Sequence, residues 1–210
     1  MDSQSAFPPD FLDALRSLVN QHHLLYPRIP PRDIFFESLV ERAFKNVSKP
    51  FRLIERTARN APKHDLDIGD ARISVKSETG EGTKSDLISI TKLCTTERNP
   101  WEASALVARA IEHLSQYELI LMLRAVWNLP VIHYQVVEIP ALLLKRIEGT
   151  ALVAVGKRKE RRSLGADILD DQGEILFHVH FDASDGKCQI RNLPVAACRL
   201  LREWDHHIRD

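Results

Sequence analysis

A chain of 210 residues, 44% hydrophobic and 28% charged, has enough apolar mass for a packed core and too much for disorder. Lys+Arg and Asp+Glu balance at 29 each, so net charge argues neither for nor against a nucleic-acid partner, and local distribution must carry that question. The opening MDSQSAFPPD lacks a basic start and an apolar stretch, no run of about 18 uncharged apolar residues occurs, and Cys94, Cys188 and Cys198 lack C-x-x-C spacing. The expectation is a cytoplasmic protein with reduced thiols and no membrane association, signal peptide or cysteine-bound zinc.

In chain order, PPDFLDALRSLVNQHH places Phe11, Leu15, Leu18 and Val19 at helical spacing behind a possible cap, Asp10. YPRIPPRD breaks the helix, and Asp33 precedes a second one, IFFESLVERAFKNV, which ends before Pro50. FRLIERTAR alternates like a strand. HDLDIGDARISVKSETG predicts a hairpin with arms LDI and ARISVKS, followed by the loop GEGTKSD and a β-branched strand, LISITKL. Pro100 suits the first turn of a long helix striped by Ala103, Leu106, Val107, Ala110, Ile111 and Leu114. ELILMLRAVW and VIHYQVVEI then fit central strands, parted by NLP, and PALLLKRI fits a short helix. Beyond Gly149, short strand-like runs alternate with Asp-Gln-Gly and Ser-Asp-Gly turns, and PVAACRLLREWDHHI reads as a closing helix. The order predicts an α/β fold: a mixed central β-sheet flanked by helices, with residues 150–193 as a β-rich subregion within a single 1–210 domain.

The hairpin carries the chemistry. Alternate strand residues share a face at roughly 6.5–7 Å, so Asp65 and Asp67 point one way, as do Ser74, Lys76 and Glu78. Ile73 and Val75 point to the core and fix the register. If the arms pair across Gly69-Asp70, Asp67 is expected near Ser74 and Lys76, where hard carboxylate oxygens suit Mg²⁺. Lys76 would orient a water or a phosphate oxygen and offset developing negative charge.

Asp67 followed by Ser74-Val75-Lys76 resembles the core of the PD-(D/E)-x-K nuclease superfamily, and in particular type II restriction endonucleases. The resemblance covers roughly residues 33–140 in the order of elements. It implies a restriction-endonuclease-like fold and Mg²⁺-dependent, sequence-specific hydrolysis of double-stranded DNA. It also implies catalytic roles for Asp67, Ser74, Lys76 and Glu78. Ser74 departs from the acid usual at its position, a variant in which the missing carboxylate comes from elsewhere. Glu78 is the nearest substitute, Glu97, Glu102 and Glu112 lie around the downstream helix, and Glu37 or Glu41 on the upstream helix could complete the shell. Asp67, Glu78 and Glu37 are thus the expected metal ligands. A homodimer follows, since one site cuts one strand and palindromic recognition matches two-fold symmetry.

For contact with DNA, the basic cluster Lys157, Arg158, Lys159, Arg161 and Arg162 suits phosphates or guanine edges, and Ser184, Lys187, Gln189 and Arg191 present donors around a turn. His178, His180 and Asp182 share one strand face, a spacing that could ligate a transition metal but more often marks the outer face of a half-buried strand. G-x-S-x-G, G-x-x-x-x-G-K-[ST] and G-x-G-x-x-G are all absent, so a serine hydrolase and a nucleotide cofactor have no support. The rival readings are a repair or recombination nuclease on the same core, and a binding module in which the hairpin is inert.

Overall fold

The computed structural model describes residues 5–54, 64–96, 101–155 and 162–208. The N-terminal helices are α1 (Pro9–Leu25) and α2 (Ile34–Asn46). Strands β1 (Arg52–Leu53), β2 (Leu66–Ile68), β3 (Ala71–Glu78) and β4 (Leu87–Thr95) follow. Then come α3 (Ala103–Leu114), β5 (Leu119–Asn128), β6 (Val131–Pro140), α4 (Ala141–Leu144) and a 3₁₀ turn at Lys145–Ile147. The chain closes with β7 (Val153–Val155), β8 (Ser163–Leu169), β9 (Ile175–Asp182), β10 (Lys187–Pro194) and β11 (Arg199–His207).

Two sheets result. One is mixed and six-stranded in the order β1-β2-β3-β5-β6-β11, with β3 and β5 parallel. The other is antiparallel and five-stranded, β4-β10-β9-β8-β7. The α/β class with a β-rich C-terminal half agrees with the pattern in the sequence. Two expectations change. LISITKL forms β4 but leaves the mixed sheet, pairing with β10 about a hundred residues later. The closing segment PVAACRLLREWDHHI is a 3₁₀ turn and strand β11, because the free edge of β6 takes its backbone groups in an antiparallel ladder. The second half of FRLIERTAR and the position of Pro100 lie outside the described residues.

The alternation along β3 divides the interior. Ile73 and Val75, with Leu121, Leu123, Tyr134 and Val136, face α1 and α2, whose Phe11, Leu15, Phe36, Val40 and Phe44 are buried against them. Ile120, Met122, Val137 and Ile139 face the other way, onto Leu106, Ala110 and Leu114 of α3 and the inner face of the second sheet. Ser74, Lys76 and Glu78 share this second side by strand parity.

On the first side, His23 of α1 is only 4% exposed and bonds the Tyr134 hydroxyl at 2.7 Å, its ring stacked on His206. Burial, then the His206 charge, pushes its pKa down to about 4. The folded state therefore resists a proton that the unfolded chain accepts below about pH 6.5. This share of stability is intact above pH 6.5 and declines as the pH falls toward 4, by up to about 3 kcal/mol. Urea denaturation across that range is expected to show the decline in the parent and a shallower one in His23→Gln.

Candidate active site

The β2–β3 hairpin turns in two residues, with Gly69 in the left-handed region at φ 58°. Ile68 pairs with Ala71, Asp67 with Arg72 and Leu66 with Ile73. One step further, Asp65 lies beside Ser74, its backbone N–H donating to the Ile73 carbonyl at 2.7 Å. The tightness of the turn thus brings Asp65, and not Asp67, to the lysine. That corrects the expected register.

Asp65 Oδ2 accepts hydrogen bonds from Ser74 Oγ at 3.1 Å and from the Val75 N–H at 2.6 Å. Lys76 Nζ donates to Ser74 Oγ at 2.7 Å and to the Val75 carbonyl at 3.1 Å, and stands 4.0 Å from Asp65 Oδ2. The carboxylate side chain is 8% exposed and the lysine 23%, so the ammonium marks the open side of the cluster. Two groups that sequence reasoning passed over face the cluster from below. His113 is held neutral, its pKa pushed down to about 4 by burial and then by the Lys76 and Arg109 cations. Tyr117 packs edge-on against it at 5.4 Å. Burial, then the nearby Cys94, Cys188 and Asp65, raises its phenol. His113 Nε2 and the Tyr117 hydroxyl are both buried without a hydrogen-bond partner among the described residues.

Asp67 has other partners. Burial opposes its ionisation, but hydrogen bonds from Arg52 (Nε at 2.8 Å) and His64 hold its carboxyl below the usual range. Arg72, across the ladder from Asp67, binds Glu118 through its guanidinium (Nε at 3.1 Å) and its own N–H (2.7 Å). Glu78 sits on the face expected for it, yet both oxygens are engaged. Oε2 accepts from Arg124 Nε at 2.8 Å and Oε1 from the Ser89 N–H at 2.9 Å. Burial nevertheless raises its pKa. Arg124 is fully buried and also donates to Gln135 and to the carbonyls of Lys84, Ser85 and Leu87, clamping the β3–β4 loop. Glu37 rides on α2, which packs Phe36 and Val40 against the opposite face of β3. Glu112 pairs with Arg109 at 2.8 Å, Glu41 with Lys45, and Glu102 precedes α3 as its cap position. Glu97 lies outside the described residues.

Lys157, Arg158, Lys159 and Arg161 also lie outside them. Arg162 is exposed, and its carbonyl accepts the Trp101 indole N–H at 2.8 Å. Gln189 and Arg191 share the outer face of β10, where Gln189 Oε1 accepts from Arg191 Nε and the terminal guanidinium nitrogen at 3.1 and 2.6 Å. Ser184 is folded onto Asp182, and Lys187 pairs with Asp185 at 2.6 Å. His180 lies across from Gln189 on the same outer face, and His178 bonds Asp167 at 2.5 Å. No group of three or more metal-ligating side chains converges among the described residues.

The sequence held the signal for Asp65, since a two-residue turn between Ile68 and Ala71 fixes every later pair. The one for Arg124 was a cation inside the apolar run LILMLRAVW. His113 and Tyr117 gave none beyond helical spacing.

Known proteins bear on what such a cluster does. The chain is 27% identical over 208 residues to the type II restriction enzyme SmaI of Serratia marcescens, covering 97% of this chain and 82% of that protein. No solved structure matches. The family model SmaI, described as type II site-specific deoxyribonuclease, matches residues 4–206. A match of that extent takes in all four α-helices, both sheets and the Asp65–Ser74–Lys76 cluster, so the chain belongs to the SmaI family and is a type II site-specific restriction endonuclease, acting on DNA.

Proposed function

We propose that Asp65, Ser74 and Lys76 form the reaction centre of this nuclease, a PD-(D/E)-x-K site of the Ser-x-Lys kind in which Asp65 takes the part the sequence had suggested for Asp67. The observation that carries this reading is the shared hydrogen bonding of one nearly buried carboxylate, one hydroxyl and one ammonium on a rigid strand pair. The donors are hard oxygens, few in number, and fit a Mg²⁺ ion that keeps most of its waters. Asp65 would hold it, with Ser74 beside it. When bound, such an ion polarises the phosphate and supplies an acidic water.

The chain's own residues do the rest. Lys76 presents its ammonium toward the open side, where it attracts a phosphate oxygen and offsets charge as water adds to phosphorus and the ester oxygen departs. Ser74 holds Nζ in place through its hydroxyl, and the Val75 N–H fixes the Asp65 rotamer. Glu78 acts in this reading as the anion of a structural clamp, since Arg124 and Ser89 already occupy it. Gln189, Arg191 and Arg162 are surfaces for DNA, supported by the exposure of Arg162 and Arg191 and by the place of Gln189 and Arg191 on the outer face of β10. Lys157, Arg158, Lys159 and Arg161 join them on their charge alone. The active form is a homodimer. It is supported by the need for two cuts and by exposed Leu24, Leu25, Ile29, Ile34 and Phe35 where α1 ends and α2 begins.

Chelation tests the metal. Plasmid cleavage is expected to stop in EDTA and return with Mg²⁺, and calorimetric titration of Mg²⁺ should show heat in the parent that Asp65→Asn lacks. Fragments formed in EDTA, or unchanged heat in the variant, would contradict the reading.

A further inference from the structure

Beside the reaction centre the sheet carries a row of alternating charge. Arg52, Asp67 and Arg72 are successive partners across β1, β2 and β3, and Glu118, the residue before β5, completes the row by binding Arg72. By strand parity their side chains share the face of Asp65, Ser74 and Lys76. The row lies two residues along the strands from Asp65 and Ser74, roughly 6.5–7 Å, and the Lys76 ammonium, folded back onto Ser74 Oγ, sits at that same level. The spacing is comparable to one phosphate-to-phosphate step along a nucleic-acid strand.

We propose that Arg52 and Arg72 each bind a DNA backbone phosphate beside the cut, with Asp67 and Glu118 as placeholders that occupy the two guanidiniums until DNA arrives. This rests on the reading of Asp65, Ser74 and Lys76 as the reaction centre. Exposure supports it: the Arg52 side chain is 76% exposed and that of Arg72 is 44% exposed. Guanidinium is the group whose planar fork matches a phosphate with two hydrogen bonds. Ion pairs at such exposed sites are worth about 0–1 kcal/mol, so exchanging a carboxylate for a phosphate costs little. The fold has small need of them. β3 is already tied to β5 by its ladder and by the Glu118 N–H donating to the Arg72 carbonyl at 2.9 Å. A backbone running past Lys76 meets this row at its next charge.

The test is equilibrium binding of a fluorescent DNA duplex of arbitrary sequence, in EDTA, across a potassium chloride series. Each of Arg52→Gln and Arg72→Gln is expected to weaken binding about fivefold and to lower the slope of log affinity against log salt by about 0.9, one phosphate contact. Glu118→Gln, which releases Arg72, is expected to tighten binding about threefold. Relief of repulsion alone would tighten binding equally in the parent and in Arg72→Gln. Release of Arg72 instead requires the gain to vanish in the double variant Arg72→Gln/Glu118→Gln, and an equal gain in both backgrounds overturns the proposal. The parental slope in both arginine variants, or a Glu118→Gln protein that binds no more tightly, overturns the proposal. Because nothing is cut in EDTA, the outcome is separate from loss of cleavage in Asp65 and Lys76 variants, which tests the reaction centre itself.

Discussion

Asp65→Ala and Lys76→Ala are each expected to slow cleavage at least about a thousandfold, a loss of about 4 kcal/mol of transition-state stabilisation. The reason is geometric. Asp65 is the carboxylate joined to Lys76 through Ser74 Oγ, with the ammonium 4.0 Å away. Removing Lys76 leaves the phosphate without its charge partner, and removing Asp65 takes away the carboxylate that would hold the metal ion. Asp67→Ala is expected to cut at least about a hundred times faster than Asp65→Ala, because its carboxylate is turned to Arg52 and His64. Duplex binding in EDTA should survive the Asp65 change, since removing a carboxylate lessens repulsion of the backbone. Single-turnover plasmid cleavage ranks the three variants. The reverse ranking, with Asp67→Ala dead and Asp65→Ala active, would remove Asp65 from the centre.

Arg124→Met is expected to destabilise the fold by about 3–5 kcal/mol, the cost of breaking a buried ion pair from one side. The substitution strands Glu78, which is already hard to ionise where it lies, and it deprives Gln135 and three loop carbonyls of their donor. Adding Glu78→Leu should recover part of the loss by removing the orphaned charge, a non-additivity that marks direct coupling. Urea denaturation of the parent, both single variants and the double variant measures it. Additive effects would mean that the two side chains do not depend on each other.

Local pattern carried the reading through the first two-thirds of the chain. Alternation in ARISVKS and LISITKL gave β3 and β4, and the Leu106–Ala110–Leu114 stripe gave α3. Long-range pairing was not legible. Nothing in Leu87–Thr95 announces that its partner is Lys187–Pro194, and that pairing decides which sheet β4 joins. Leu200, Leu201, Trp204 and Ile208 mimic a helical stripe, yet only Trp204 among them is buried, because β11 is an edge strand whose ladder with β6 overrides spacing. At the site, residue types were legible and their partners were not. Asp65 and Asp67 are indistinguishable by face, and only the length of the turn separates them.

The path of the chain from β3 into β4 limits how this enzyme can be re-engineered. The strand bearing Lys76 runs, through a loop fastened by Arg124, into the border strand of the other sheet, so the two halves interlock and neither is a cassette. Deleting the segment after Gly149 would strip β4 of its neighbour and bare Ile88, Ile90 and Leu93 as a sticky rim. Retargeting must therefore proceed by side-chain replacement on an intact scaffold, and transplanted specificity modules should fail to fold.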